Sequence, residues 1–200
     1  TGYKSKVVDI PDVNYVNNPN YETTNMNESL FCALKPSNNS VLVTYGDIVF
    51  EPKIVQQMLE ITNDIRLAIR INWKEHYQNR TMHPLSEAEN GLIENGRILE
   101  TRKNISKALE NQQIGEFLGI MMLSSEQIKI LLERYSDLKK NHTGTFHSSS
   151  SLHTAYLTDM LQEMIDFGVH INPVFAEGRW FEIDTLEDIK NAEKSINEFN

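Results

Sequence analysis

The chain has 200 residues, 40% of them hydrophobic and 24% charged, and its formal net charge at pH 7 is −9. These proportions are typical of a single globular domain with a sizeable core. This net negative charge excludes proteins that bind nucleic acid or an anionic membrane through a basic surface. No apolar stretch approaches the roughly 20 residues that cross a bilayer. Because Cys32 is the single cysteine, there is no intrachain disulfide, and we expect a reducing, cytoplasmic compartment.

Hydrophobic periodicity and turn residues predict an alternation of strands and helices. In chain order, we expect strands over residues 7–10 and 13–16, a helix over 29–34, a strand over 41–45, a helix over 52–61 and a strand over 65–71. There follow strands over 92–94, 97–101 and 116–123, helices over 124–139 and 152–167, strands over 169–175 and 180–183, and a helix from 185 to about 199.

This alternation predicts an α/β fold with a mostly parallel sheet. The section from residue 65 to residue 123 is richer in strand and loop than in helix, which indicates an inserted β-rich hairpin region over the sheet. Residues 140–151 are polar and include a run of serines, which is typical of an exposed loop.

Two aspartates that are far apart in sequence each end a hydrophobic run. Asp47 follows the strand of residues 41–45, and Asp184 follows that of residues 180–183. Such a residue is costly to bury unless it binds something, and ligands of open α/β sheets bind at the carboxyl ends of strands. Together the two carboxylates would suit Mg²⁺, which prefers oxygen ligands and usually accompanies phosphates. The alternatives are an Asx turn at Asp47 and a helix-capping charge at Asp184.

Other polar residues have both a chemical and a structural interpretation. Within the polar block of residues 73–89, Arg80 could bind a phosphate or phosphonate through its guanidinium fork. The aromatic and acidic residues of the same block suit a cationic amine. Lys103 follows a strand and could neutralise phosphate charge, and Glu116 begins an apolar strand as either an edge group or a substrate contact. Each could equally be a solvated surface charge.

The motifs together resemble the nucleotidyltransferases that activate small phosphorylated compounds with CTP or another NTP. The most similar members are the domains associated with phosphoenolpyruvate phosphomutase in phosphonate biosynthesis, and bacterial phosphocholine cytidylyltransferases are near relatives. The matching segments, in order, are residues 1–3, 17–21, 24–25, 29–30, 46–48, 80–89, 115–117, 119, 180–185 and 187–188.

This resemblance implies a Rossmann-like fold of the nucleotide-diphospho-sugar transferase type, in one domain over residues 1–200. It implies that Asp47 and Asp184 are Mg²⁺ ligands. The family's Gly-x-Gly-x-Arg phosphate loop has no counterpart among the scattered glycines and would have to precede Thr1. We therefore expect an N-terminally truncated domain that is a poor catalyst or inactive as it stands.

The resemblance also implies roles for other residues. Asn25 and Ser29 would lie near the nucleotide, which is CTP or another NTP. Lys103 falls where such enzymes place a lysine near the acceptor phosphate, and Arg80 would hold the same negative charge. The block of residues 73–89, together with Glu116 and Trp180, would line the acceptor pocket, with Trp73, His83 and Glu87 as the contacts within the block.

The implied reaction is transfer of a nucleotidyl group, CMP above all, to a small phosphonate or phosphate such as 2-aminoethylphosphonate, with release of pyrophosphate. Because the attacking oxygen is already ionised, positioning and electrostatics should dominate catalysis. Phosphocholine or a sugar phosphate is the alternative acceptor. A different class of function, a non-catalytic domain for nucleotide binding or oligomerisation, also stays open. Fusion to or association with a phosphomutase domain, and a homo-oligomer, are the protein partners considered.

Overall fold

The computed structural model describes residues 1–60, 64–77 and 80–197. Its strands are β1 (Val41–Thr44), β2 (Ile48–Phe50), β3 (Ile65–Arg70), β4 (Glu89–Glu94), β5 (Arg97–Lys103), β6 (Gln112–Leu123), β7 (Ile171–Phe175) and β8 (Trp180–Glu182). Its α-helices are α1 (Met26–Ala33), α2 (Pro52–Glu60), α3 (Ser125–Asn141), α4 (Leu157–Asp166) and α5 (Leu186–Asn197). The predicted helical residues 61, 198 and 199 lie outside the described residues.

The main sheet has the strand order β5-β4-β6-β3-β7, and β1 also pairs with β6. Strands β3 and β7 run parallel, whereas the pairs β1–β6, β3–β6, β4–β5 and β4–β6 are antiparallel. The α/β, Rossmann-like class is confirmed, but the sheet is mixed rather than mostly parallel. One reason is the tight turn at Asn95 and Gly96, both with positive φ, because a two-residue turn joins antiparallel strands. The resulting β4–β5 hairpin extends the edge of the sheet instead of lying over it.

Helices cover both faces of the sheet. On one face Leu67 and Ile69 of β3 belong to the core cluster that includes residues of α3 and α4. On the other face Ala68 packs in a cluster with Ile54 and Met58 of α2. All the residues of β3 are buried, as expected for a strand with protein on both sides.

Strand β6 bends at Gly119, and the bend separates two neighbours on the same edge. Residues 120–123 pair with β1, and residues 112–116 pair with β4. Gly119 has a φ of 68°, which side chains rarely adopt, and a Cβ there would lie 2.5 Å from the Tyr45 ring. The Tyr45 N–H donates to the Gly119 carbonyl at 2.9 Å. The absence of a side chain at Gly119 therefore lets the tyrosine that follows β1 pack against the bend.

The predicted strands over residues 7–10 and 13–16 are wrong. A 3-10 helix occupies Ser5–Val7, and no β-ladder forms between residues 7 and 16. Pro11 has no N–H to donate, Asp12 adopts a φ of 62°, and no described strand lies alongside. Apolar side chains of this segment, including Val7, Ile10 and Val13, are exposed.

The predicted helix over residues 152–167 is split into a 3-10 turn, Leu152–Thr154, and α4. The split arises because Asp159 accepts a hydrogen bond from the Tyr156 N–H at 2.9 Å and so defines a new helix start. Strand β2 was not predicted, and it forms by pairing with β8. Among the described residues, no helix combines the length and the apolar character needed to cross a membrane.

Candidate active site

A short antiparallel ribbon brings the two predicted metal-binding aspartates to one cavity. Strand β2 pairs with β8, and the Ile183 N–H donates to the Asp47 carbonyl at 2.8 Å. The central cavity next to this ribbon has a volume of about 180 Å³. The predicted site residues that line it are Asp47, His83, Glu87, Lys103, Glu116, Trp180 and Asp184. Residues of both halves of the sequence thus meet where the sheet ends.

The two aspartates differ in their surroundings. The Asp184 Oδ2 lies 3.1 Å from Arg80 Nη2 and 2.9 Å from His83 Nδ1. In the described part of the chain, no group forms a hydrogen bond or ion pair with the exposed Asp47 carboxylate. His83, Glu182 and Asp184 also form a group whose ligand atoms lie within 4.8 Å of one another. A divalent cation in this group could take oxygen ligands from Glu182 and Asp184. Asp47 lines the same cavity but does not belong to this group of described residues.

Arg80 orders the acidic residues around β8. Its Nε donates to Asp188 Oδ1 at 2.8 Å, and its Nη1 lies 3.4 Å from Glu182 Oε2. Burial, reinforced by the charge of Asp184, raises the pKa of Glu182 to about 7, and Arg80 opposes that increase. The Arg80 side chain is only 8% exposed. Arg80 thus holds these carboxylates in place. Its predicted contact with an acceptor stays a prediction.

Asp188, which the sequence analysis did not single out, fixes the loop that carries Asp184. Its buried carboxylate accepts hydrogen bonds from the N–H groups of Asp184 and Thr185, at 3.2 and 2.8 Å. These bonds cap the start of α5. In the sequence, Asp188 belonged to a matching segment, residues 187–188, and to the start of the predicted last helix, but neither assigned it a role.

Two tyrosine–glutamate pairs form the floor of the cavity. The Tyr77 hydroxyl donates to Glu116 Oε1 at 2.6 Å, and the Tyr45 hydroxyl donates to Glu89 Oε2 at 2.6 Å. Glu89 also accepts a bond from the Thr158 hydroxyl at 3.2 Å. Burial raises the pKa of Glu116 to about 7, although the Tyr77 bond opposes this. The floor is therefore a desolvated acidic surface lined with aromatic rings.

Lys103 closes the opposite wall of the central cavity. Its Nζ donates to Glu87 at 2.8 Å and lies 4.1 Å from the centre of the Tyr156 ring. Burial lowers the pKa of Lys103, but the bond to Glu87 and the other nearby acidic groups raise it further, so the amine stays charged. A positive charge held on an aromatic face suits an anionic ligand group.

Four predicted site residues do not line the central cavity: Arg80, described above, and the three that follow. Trp73 is buried behind Tyr77, and its indole N–H donates to the Ile114 carbonyl at 3.3 Å. Asn25 caps α1 by accepting a bond from the Met26 N–H at 2.8 Å, and it does not line the cavity. Ser29 lines a neighbouring space of about 490 Å³, the β1 groove, together with Val43, Gly46 and Asp47. Asp47 therefore stands between the groove and the central cavity.

The residues of the cavity that the sequence analysis missed include Tyr45, Tyr156 and Glu182, and Glu89 was not singled out. Tyr45 was interpreted as the end of an apolar strand, and Tyr156 as part of a continuous helical face. Glu89 closes the polar block of residues 73–89, but nothing in its spacing distinguished it from the exposed acids there.

Comparison with known proteins finds a related sequence and the same fold. The chain is 25% identical over 179 residues to the CTP:phosphoglutamine cytidylyltransferase of Campylobacter jejuni. This match covers 86% of this chain and 69% of that protein. The inositol-1-phosphate CTP transferase of T. maritima superposes with a TM-score of 0.61 at 18% identity, over 90% of this chain and 63% of that one. The CTP:phosphocholine cytidylyltransferase of Streptococcus pneumoniae gives 0.61 at 15% identity, over 92% and 69%. No protein-family model matches the chain.

At these low identities the two solved structures establish the fold alone. The chain spans about two thirds of the length of the proteins it matches, from 63% to 69%. None of them tests the predicted link to phosphomutase domains, which stays a prediction. The sequence similarity to the Campylobacter protein confirms the predicted resemblance to nucleotidyltransferases, and that relative is an enzyme of the cytidylyltransferase type. The two solved structures confirm the fold.

Proposed function

We propose that the chain provides the metal and acceptor sites for Mg²⁺-dependent transfer of CMP from CTP to a small phosphonate or phosphate, such as 2-aminoethylphosphonate, with release of pyrophosphate. The observation that carries this proposal is the meeting of Asp47, Asp184 and Lys103 around one cavity. Carboxylates for a cation and an ammonium for an acceptor oxyanion are the groups that such a transfer requires.

The metal part of the proposal rests on the donor set. Among the described residues, the Asp47 carboxylate has no hydrogen-bond or ion-pair partner, and Arg80 and His83 both contact the Oδ2 atom of Asp184. These oxygens suit a hard cation. When bound, Mg²⁺ would neutralise phosphate oxygens of the nucleotide. Arg80 and Asp188 act on the same site as positioning residues, because they fix the loop that presents Asp184.

The remaining residues divide between the two substrates. Ser29 and the β1 groove are proposed to take the nucleotide, since Asp47 lies at the boundary of that groove and the central cavity. Lys103 is proposed to hold the acceptor's phosphonate or phosphate oxygens. His83, Glu87, Glu116 and Trp180 are proposed to line the acceptor site. Holding both substrates in line for attack on the α-phosphorus is the main catalytic contribution expected of this chain.

Pyrophosphate release by the full-length protein tests the proposal. The assay contains CTP, Mg²⁺ and, in separate reactions, 2-aminoethylphosphonate, phosphocholine and a sugar phosphate. Asp47→Asn and Asp184→Asn are each expected to lower kcat/KM roughly 1,000-fold, as for other electrostatic groups. Asp137→Asn, on the exposed side of α3, is the matched control and should leave the rate unchanged.

Turnover of none of these acceptors above the level of the Asp47→Asn variant would exclude the enzymatic role. Turnover of phosphocholine or the sugar phosphate alone would replace the phosphonate acceptor and keep the reaction. Omission of Mg²⁺ with no loss of rate would exclude the metal role of the two aspartates.

A further inference from the structure

We infer that Glu116 is the specificity determinant of the central cavity and that it selects acceptors with a protonated primary amine. This inference rests on the proposed function, because the amine must belong to the molecule whose oxyanion Lys103 holds. It adds a chemical class, a primary ammonium, to the acceptor.

The first observation is an unsatisfied oxygen. Glu116 is 2% exposed, and its Oε1 accepts the Tyr77 hydroxyl bond at 2.6 Å. Its Oε2 is buried and has no hydrogen-bond partner among the described residues. A buried acceptor without a donor is uncommon and costly. Because Glu116 lines the cavity, a donor on a bound ligand would satisfy that oxygen.

The second observation is an excess of negative charge. Glu89 and Glu182 line the same cavity as Glu116. The cations nearest to Glu116 have other partners, since Arg70 donates to the Gly178 carbonyl at 2.6 Å and Arg80 contacts Glu182. Lys103, across the cavity, donates to Glu87. Burial is the main effect that disfavours the charged form of Glu116, and repulsion from Glu89 adds to it, although the Tyr77 bond and the charges of Arg70 and Arg80 oppose it. The charge of a ligand cation would favour the ionised form and so offset the cost of burial, which is why the cavity favours a positive group over a neutral one.

The third observation concerns the type of cation. A primary ammonium has three N–H donors, one of which can satisfy Glu116 Oε2. A quaternary ammonium has no N–H group, so the oxygen would stay unsatisfied. A neutral hydroxyl can donate a bond but leaves the carboxylate charge uncompensated. The rings of Tyr45, Tyr77 and Trp180 in the same cavity add to the attraction for an ammonium.

Three acceptors with a common phosphonate group test this inference in the full-length protein. They are 2-aminoethylphosphonate, its N,N,N-trimethyl derivative and 2-hydroxyethylphosphonate, each with CTP and Mg²⁺. The expected kcat/KM for the primary amine exceeds that of the other two by about 100-fold or more. The trimethyl compound cannot donate to Glu116 Oε2, and the hydroxyl compound leaves the carboxylate charge uncompensated. This comparison uses the unmodified protein and does not depend on a variant that folds.

Glu116→Gln then assigns the selectivity to one side chain. The variant should lower kcat/KM for the amine about 100-fold and change that for 2-hydroxyethylphosphonate by less than about threefold. Glu133→Gln, an exposed change of the same charge on α3, is the control and should preserve the preference.

The outcomes separate the two levels of the argument. If the unmodified protein turns over none of the three acceptors, the proposed function fails, and this inference fails with it. If it turns over the hydroxyl or trimethyl compound as well as the amine, the reaction stands and the inference is overturned. An equal loss for all acceptors in Glu116→Gln would show a structural role and would also overturn it.

Discussion

Replacing Glu116 with glutamine is expected to stabilise the folded protein at pH 8 and to change its stability little at pH 5. The cause is the cost of keeping this carboxylate charged in a desolvated cavity. Burial raises the pKa of Glu116 from an ordinary value of 4.5 to about 7. Since one pKa unit corresponds to about 1.4 kcal/mol, full ionisation costs the folded state up to about 3 kcal/mol.

The sign follows from proton binding. Between pH 4.5 and about 7 the folded state holds the Glu116 proton more firmly than the unfolded state. Stability therefore falls as pH rises through this window, and the whole cost is present above pH 7. Glutamine is neutral throughout and can still accept the Tyr77 hydroxyl bond, so the variant should lose this part of the pH dependence.

Urea unfolding of both proteins at pH 5, 6, 7 and 8 measures the effect. The difference in unfolding free energy should rise with pH to at most about 3 kcal/mol in favour of the variant. Glu182, whose pKa is also about 7, is present in both proteins, so its own contribution largely cancels. Glu133→Gln should show no such trend. A difference that stays flat from pH 5 to pH 8, or a variant less stable at pH 8, would refute the reasoning.

Two further changes test the cavity walls. Gly119→Ala should destabilise the protein by about 1–3 kcal/mol in urea unfolding, because it combines a φ of 68° with a clash against Tyr45. Gly144→Ala is the control, because Gly144 has a φ of 88° but a Cβ there would have no atom within 4 Å. It measures the cost of the backbone conformation alone and should destabilise the protein less. Equal losses of unfolding free energy in the two variants would contradict the proposed clash. Lys103→Met should lower kcat/KM for the acceptor about 100-fold and leave the melting temperature near that of the unmodified protein. A large drop in melting temperature with an unchanged kcat/KM would assign Lys103 a structural role instead.

Much of the fold could be predicted from local patterns. Strand β3 and helix α2 were recognised from their apolar residues and from Pro52, because the pattern that buries them lies within the segment itself. The segment from residue 7 to residue 16 has the same local pattern and forms no strand. A strand needs a partner across its edge, and no local pattern states whether that partner is present.

The candidate site could be predicted in part. Asp47 and Asp184 were found because each ends an apolar run, and the structure brings both to one cavity. Tyr45 and Glu89 were not found, because their pairing depends on the bend of β6 at Gly119. Such a contact joins residues distant in sequence, and neither partner departs from an ordinary strand composition.

The bend in β6 also divides the site into parts that can change separately. The β4–β5 hairpin, on one side of the bend, supplies Glu89 and Lys103. The segment after β1, on the other side, leads into the β2–β8 ribbon with its two aspartates. Substitutions in the hairpin can therefore alter which small molecule is accepted without moving the groups proposed for metal binding. A fold arranged in this way can diversify its substrates during evolution while it keeps one reaction.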